Sequence, residues 1–595
     1  MTAAVTYRVR PSHPREHYYS VRCTLTSPDP QGQVFRLPSW LRGSYLVRDF
    51  AKHVLELRAF GSDGELAIER LDKRSFRSAR CVGPLTIEYR VYAFDESVRK
   101  AWLDTRRGFF NPSSLCYCPD GHANAPMDLI VEPPDDPLCA DWKLATTLTA
   151  VDVDARGFGR YRADGYEDLI DHPAELGNFE RLDFDVDGIP HALVLSGRYE
   201  IDRERVLRDL ARICHVEREL FGQQPVLPQY LFLTNVTASG YGGLEHRNST
   251  ALICARKDLP AAGDARFTKD YRGFLALCSH EYFHLWNVKR ITAQAFLDSD
   301  LAAETYTRDL WHYEGVTSYY DDLFLLRAGI LDGAAYLDVV AENATRLQRT
   351  PGRRLQTLED ASFEAWTKYY QPDENTPNAA VSYYVKGGLV AMCLDLTLRL
   401  RSAVTLDDVL RALWTRYGAT GIGVPERGLE TVAQEISGLD LREFFDHALR
   451  STEELDLLPL LAQFGVIGQL RAALSEADAG GRVTGEPPRA WSGLKLRGGE
   501  TRVAYVASDS PAARAGLAAG DTLVAMDGLR VTAGGWSGRF AQLPPGHSVI
   551  VHFFRGDELL SATLQPEPPP PDTWTFQLAP AEGEVLARRQ AWLGL

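Results

Sequence analysis

The sequence predicts a multidomain α+β protein, and three features of its patterning carry that prediction. Through the first 190 residues or so, short runs alternate apolar and polar side chains between turn-forming Pro, Gly and Asp. From Arg203 the period becomes helical, and helical spacing dominates from Thr305 to about Ala462. Beyond Pro487, β-like runs return around a small-residue segment, residues 510–523. At 595 residues the chain exceeds what one core accommodates, so three or four domains are expected. The boundaries read from the pattern are 1–190, 191–475, 487–566 and a tail, 567–595.

Composition narrows the function classes. A net charge of −15 argues against nonspecific binding to nucleic acid or to an anionic membrane. No run of about 18 apolar residues exists, so no membrane span is expected. The first ten residues lack an apolar core and a cleavage site, so no signal peptide is expected. Nine scattered cysteines, an odd number, fit a reducing cytoplasm without disulfides. Cys278 lies in an apolar run and reads as a buried thiol. Cys116 and Cys118 stand too close together, without a partner pair, to form a zinc knuckle.

In chain order, runs at 17–25, 34–37, 53–60, 85–94, 129–131 and 143–151 suggest a sandwich or similar antiparallel unit. Residues 37–50 mix aromatics with Arg42, Arg48 and Asp49, and read either as a loop with a salt bridge or as the wall of a site. Residues 203–221 form a helix whose stripe is Val206, Leu207, Leu210, Ile213 and Leu220. Strands follow at 229–236 and 249–255, with the glycine-rich stretch 240–248 between them. A buried helix is expected over 267–290. Further helices are expected at 310–328, 334–347, 359–370, 379–401, 405–417, 428–436 and 441–449. A polar, Gly-rich linker, 476–488, closes that block. A proline-rich linker, 566–571, and one amphipathic helix, 582–592, end the chain.

The helix at 267–290 contains His280-Glu281-Tyr282-Phe283-His284. Residues four apart share a helix face, so His280 and His284 can point two imidazoles at one metal ion. Glu281 lies close enough to reach a water on that metal and act as general base, the zinc-hydrolase arrangement. Strands followed by such a helix are what a thermolysin-like catalytic domain needs. Zinc in a hydrolase takes three protein ligands and one water. Glu314, amid Trp311, Val316, Tyr319 and Tyr320, is a carboxylate in apolar company that a cation would satisfy, and it is the candidate third ligand. His312 competes for that role. Asp321 and Asp322 read as solvated or supporting. Such a ligand set brings the pKa of bound water to about 7.

Three further groups would complete a peptidase. An oxyanion needs a donor besides the metal, and Tyr384 in Ser382-Tyr-Tyr-Val-Lys-Gly-Gly388 is the candidate, with Tyr383 the alternate. Glu245, in Gly242-Gly243-Leu244-Glu245-His246, could anchor a free amino group. Gly242 and Gly243 would let backbone approach a bound peptide, and His246 flanks that substrate site. Near the C-terminus, residues 510–523 and Asp527-Gly528 resemble a PDZ domain. In that reading Gly493, Leu494, Lys495 and Leu496 form the loop that holds a peptide or protein C-terminus.

The combined motifs resemble the glycyl aminopeptidase family of zinc metallopeptidases. They are Gly-Gly-Leu-Glu-His, His-Glu-Tyr-Phe-His-Leu-Trp-Asn-Val-Lys-Arg-Ile, Trp-His-Tyr-Glu-Gly-Val-Thr-Ser-Tyr-Tyr and Tyr-Val-Lys-Gly, with the PDZ-like module after them. Residues 37–50 also resemble that family's N-terminal segment. The resemblance implies a β-rich N-terminal domain, a thermolysin-like domain with a helical second half, and a PDZ domain. It implies one Zn2+ per chain on His280, His284 and Glu314, with Glu281 as base, Tyr384 as transition-state donor and Glu245 as amine anchor. It also implies peptide substrates with small N-terminal residues such as Gly or Ala. The stretch 285–313 between His284 and Glu314 is longer than in the larger zinc aminopeptidases. Two other functions fit the same residues: a zinc endopeptidase fed by the PDZ domain, and a noncatalytic PDZ scaffold that binds peptides.

Overall fold

The computed structural model describes residues 3–222, 225–544 and 546–594. The chain divides into two compact units, Met1–Thr305 with Leu413–Pro425, and Tyr306–Ala412 with Glu426–Leu595.

The first unit opens on an eight-stranded sheet. Val5–His13 pairs antiparallel with Tyr18–Leu25 and parallel with Met127–Val131. In Leu85–Tyr92 buried and half-buried positions alternate strictly, which is the period of a strand with one face on a core. Two four-stranded sheets accompany it. A five-stranded sheet follows, in the order Glu180–Val186, Ile189–Gly197, Tyr230–Thr237, Ser249–Ala255, Gly242–Glu245. It begins ahead of the boundary expected at 190, because Glu180–Val186 pairs along its length with Ile189–Gly197. The middle strands run parallel. Tyr230–Thr237 is buried along nearly all its length, as a strand covered on both faces must be. The stretch expected as a glycine-rich loop supplies the edge strand Gly242–Glu245, antiparallel to Ser249–Ala255.

The helix Lys269–Phe283 packs on that edge and on the helix Arg203–Phe221. Thr268 caps it by accepting from the Tyr271 amide at 3.1 Å. It ends with His284 as C-cap, short of the Arg290 expected from the sequence. The chain turns there: the Lys289 amide donates to the His284 carbonyl at 3.0 Å, and Val288 adopts a φ of +117°, which no helix tolerates.

The second unit is helical through Arg450. The residues before the helix Val316–Arg327 form a π-helical turn, Trp311–Gly315, and another lies at Ala365–Tyr369. The helix expected from residue 379 starts at Val385, because Ala380 is extended and breaks it. Val385–Arg401 is buried on nearly all sides and meets the Trp311–Gly315 turn at backbone contact. A Cβ on Gly315 would stand 2.6 Å from the Gly387 Cα, and one on Gly387 would stand 2.9 Å from the Gly315 Cα.

The two expected linkers are partly built into structure. Arg482 pairs with Asp338, and the Gly481 amide donates to the Trp574 carbonyl at 2.9 Å. Pro571–Leu578 is a strand paired with Val466–Ala472. The last helix, Gly583–Leu593, is fastened by the Trp592 indole to the Tyr319 hydroxyl at 3.2 Å. Residues 490–564 include a four-stranded sheet, a two-stranded ribbon, Leu494–Leu496 with Val503–Val506, and two short helices. They share one core that includes Leu523, Trp536, Phe540 and Val551. All nine cysteines are unpaired, and among the described residues no helix is long and apolar enough to cross a membrane.

The crossing at Gly315 and Gly387 yields a prediction. Gly387→Ala places a methyl against backbone that cannot yield, and overpacking of that kind costs about 1–3 kcal/mol. Gly388→Ala is the control, since its Cβ would meet nothing closer than 3.4 Å. Urea unfolding should show a lower midpoint for Gly387→Ala and none for Gly388→Ala; equal midpoints would remove the close crossing as a constraint.

Candidate metal centre

In the first unit, the helix Lys269–Phe283 carries His280 and Glu281, and its cap is His284. The two imidazoles stand perpendicular with ring centroids 4.6 Å apart. His284 is buried, and its Nδ1 lies 2.8 Å from the Asn287 carbonyl oxygen. A carbonyl only accepts, so Nδ1 carries the proton, and in the neutral ring Nε2 keeps its lone pair. That tautomer is the one a metal ligand needs. The carbonyl is aimed by the tight turn after His284, where Val288 holds a positive φ that is strained for a β-branched side chain. The Val288 amide donates to the Ile291 carbonyl at 3.0 Å, and Arg290 donates to the Leu285 carbonyl at 2.7 Å, which keep the turn in place.

Glu281 is 5% exposed and Glu245, at the end of the edge strand, is 3% exposed. With His284 they offer three polar atoms within 4.8 Å of one another. Two glycines make that packing possible. A Cβ on Gly243 would overlap the Glu281 carboxylate, and one on Gly43, whose φ is +91°, would overlap the Glu245 carboxylate. Gly243 therefore stands against Glu281. Gly43 belongs to residues 37–50, and this segment walls the Glu245 carboxylate. It is pinned by the Trp40 indole to the Ala303 carbonyl at 2.7 Å, by Arg42 Nε to the Phe296 carbonyl at 2.8 Å, and by an Arg42–Glu167 ion pair. The Tyr45 ring stacks on Phe296 at 5.6 Å. Arg99 reaches Gly243 beside Gly242, donating to the Gly243 carbonyl at 3.1 Å.

His246 takes another direction, as the next residue on a strand must. Its Nδ1 lies 3.1 Å from Asp171, which also pairs with Lys289 at 2.7 Å and accepts from the Arg247 amide at 3.1 Å. Burial raises the Asp171 pKa, but Lys289 and His246 override it and hold the carboxyl well below the usual range. The four residues join a cavity of about 390 Å³ that Arg42 and Asp168 also line.

In the second unit, Glu314 sits in the π-helical turn at 2% exposure. His312, in the same turn, is also buried, and burial pushes its pKa down to about 3. Tyr383 is buried and Tyr384 half-buried, with their rings stacked at 4.7 Å. The Tyr384 hydroxyl lies 2.9 Å from that of Tyr370. Burial raises the pKa of Tyr384 well above the usual value and the Glu314 carboxylate raises it further, so the phenol stays a proton donor. Gly493 precedes the Leu494–Leu496 strand with a φ of +77°, and a Cβ there would overlap Ser510. Gly43, the Asn287 carbonyl and Tyr370 carried no signal in the sequence that singled them out.

Asp309 lies in the same unit, ahead of Glu314. Its backbone carbonyl accepts from the His312 amide at 2.9 Å, and its carboxylate accepts from the Arg427 amide at 2.7 Å. Burial, then Glu426, pushes its pKa up to about 7.

Two family models match the chain. One is the Peptidase M61 N-terminal domain, over residues 6–178, and the other is M61 glycyl aminopeptidase, over residues 273–390. The crystal structure of an aminopeptidase N family protein from Idiomarina loihiensis is 38% identical over 99% of this chain and 100% of that one, with a TM-score of 0.95. An M1 zinc metallopeptidase from Deinococcus radiodurans is 15% identical over 77% of this chain and 95% of that one, with a TM-score of 0.48, a likeness too distant to bear on the site. No curated protein matches.

Asp309 yields a pH prediction. Its folded pKa of about 7 exceeds the ordinary 3.8, so between those values the folded state holds a proton that the unfolded state has lost. Its contribution to stability is full below that window, falls as pH rises through it, and the penalty is complete above it. Thermal unfolding of Asp309→Asn should lose this decline and leave the variant the more stable protein at pH 8; identical pH profiles would overturn the assignment.

Proposed function

The chain belongs to the M61 glycyl aminopeptidase family and is a metallopeptidase, and on that premise we propose that it is a zinc aminopeptidase that removes small N-terminal residues, Gly or Ala, from peptides. The observation that carries this reading is His284. Its Nδ1 is committed to the Asn287 carbonyl, which leaves Nε2 for a metal beside the buried carboxylates of Glu281 and Glu245.

The proposed ligands of one Zn2+ per chain are His280, His284 and Glu314. Two neutral imidazoles and a carboxylate suit that ion, and the burial of Glu314 supports its part. Zinc, when bound, supplies a Lewis acid that polarises water and the scissile carbonyl. Glu281 accepts the proton of the attacking water and delivers it to the leaving amine. Tyr384 donates to the oxyanion; its partial exposure favours it over the buried Tyr383. Glu245, buried at the end of the edge strand with Gly242 and Gly243 beside it, takes the substrate ammonium, and that contact restricts cleavage to the first peptide bond. His246, held by Asp171, keeps the end of the strand in place. The module after residue 487 is proposed as a PDZ domain that takes a peptide C-terminus at Gly493–Leu496. The left-handed Gly493 and the strand that follows it support this.

A panel of Gly-, Ala- and Leu-initiated peptides, each free and N-acetylated, tests the reading. Gly and Ala peptides should lose one residue and their acetylated forms none; internal cleavage of both forms would make the protein an endopeptidase. Metal analysis should find Glu281→Gln zinc-loaded but nearly without turnover, whereas Glu314→Ala should hold less zinc. Full zinc occupancy in Glu314→Ala would move the third ligand elsewhere. Tyr384→Phe should lower kcat by about 10²–10³, and an unchanged rate would pass the role to Tyr383.

A further inference from the structure

We propose that Asn378 is a positioning residue for Tyr384, gripped by the C-terminal β module, so that this module helps to set turnover. The inference rests on the reading of Tyr384 as the oxyanion donor.

Asn378 lies in the short helical turn Thr376–Ala379. Its side chain is engaged from both ends by the strand Val503–Val506 and the residues just after it. Asn378 Nδ2 donates to the Val506 carbonyl at 3.0 Å. Asn378 Oδ1 accepts from the Tyr505 hydroxyl at 3.0 Å and from the Ser508 amide at 2.9 Å. Burial raises the Tyr505 pKa to about 12, so that hydroxyl remains a donor. A carboxamide is the side chain that offers a donor and an acceptor at this reach. The gripping strand is also the antiparallel partner of Leu494–Leu496, with Leu494 opposite Val506 and Lys495 opposite Tyr505.

The link from Asn378 to Tyr384 is short and has little slack. Ala380 is extended, and a Cβ on Gly352 would strike its backbone. The Val381 amide donates to Gln356 Oε1 at 2.9 Å, and Gln356 Nε2 donates to Glu364 at 2.7 Å. Tyr384 then meets the Tyr370 hydroxyl and the Tyr369 ring. A segment fixed at one end by the C-terminal module and at the other by tyrosine rings passes a displacement along rather than absorbing it. A misplacement of about 1 Å in a catalytic group can cost on the order of 10²-fold in rate.

The test is a double-mutant cycle on the zinc-loaded, full-length enzyme, with kcat and KM measured for a free Gly or Ala peptide. Asn378→Ala should lower kcat by about ten- to a hundredfold, with KM and zinc content nearly unchanged. Asn378→Asp keeps both acceptor contacts but sets a carboxylate oxygen against the Val506 carbonyl in place of the donor, so it too should lower kcat. Tyr505→Phe removes one contact and should lower kcat less, which keeps the test usable if Asn378→Ala fails to fold. In a Tyr384→Phe background, Asn378→Ala should have no further effect on kcat, because both act through one hydroxyl. The same fold-loss in both backgrounds would make Asn378 merely structural and overturn the proposal. So would a wild-type kcat in Asn378→Ala beside an impaired Tyr384→Phe. A wild-type rate in Tyr384→Phe itself would instead sink the donor reading, and this inference with it.

Discussion

The second unit depends on two backbones touching. Packed helices ordinarily keep their axes about 8–10 Å apart because side chains hold them there. At Gly315 and Gly387 no side chain intervenes, and a Cβ on either would stand within 3 Å of the other's Cα. Glu314 precedes the first glycine and Tyr384 stands one turn before the second. The crossing therefore brings a carboxylate and a phenol into one small volume, and the Glu314 charge is felt in the raised Tyr384 pKa. The first unit uses the same device. Gly43 and Gly243 give up the space that the carboxylates of Glu245 and Glu281 occupy.

Space is half of the matter, and charge is the other half. Burying an ionised carboxylate without compensation costs several kcal/mol even after relaxation. The first unit buries three carboxylates. Asp171 is buried and answered by Lys289, His246 and the Arg247 amide, and its carboxyl is held firmly ionised. Glu281 and Glu245 are buried too, and each places a carboxylate oxygen within 4.8 Å of a ring nitrogen of His284.

The placement fixed by local period was legible in the sequence. His280, Glu281 and His284 follow from helical spacing, and Glu314 stood out as a carboxylate among aromatics. The side chains nominated around Tyr384 do share one cluster. What could not be read was set by distant segments. Gly43 lies far up the chain from the glutamate it faces. The glycines of Gly-Gly-Leu-Glu did signal a close approach, and Gly243 stands against Glu281 from the next helix. His246 was read as flanking the substrate, and its contact with Asp171, 75 residues away in the chain, could not be read from the sequence. The helix was expected to continue to Arg290, since nothing in Leu285-Trp286-Asn287-Val288 announces a turn with a β-branched residue at positive φ. The linkers at 476–488 and 566–571 have the composition of free chain, yet tertiary hydrogen bonds fasten parts of both.

The main-chain hold on His284 has a consequence for mapping this site. Where a carboxylate orients a ligating imidazole, acid can titrate the hold away and a single substitution can delete it. A carbonyl does neither, because every amino acid brings one. Alanine scanning would pass over the group that sets the tautomer, and the sensitive positions would be those that steer the backbone path through Val288 and Lys289.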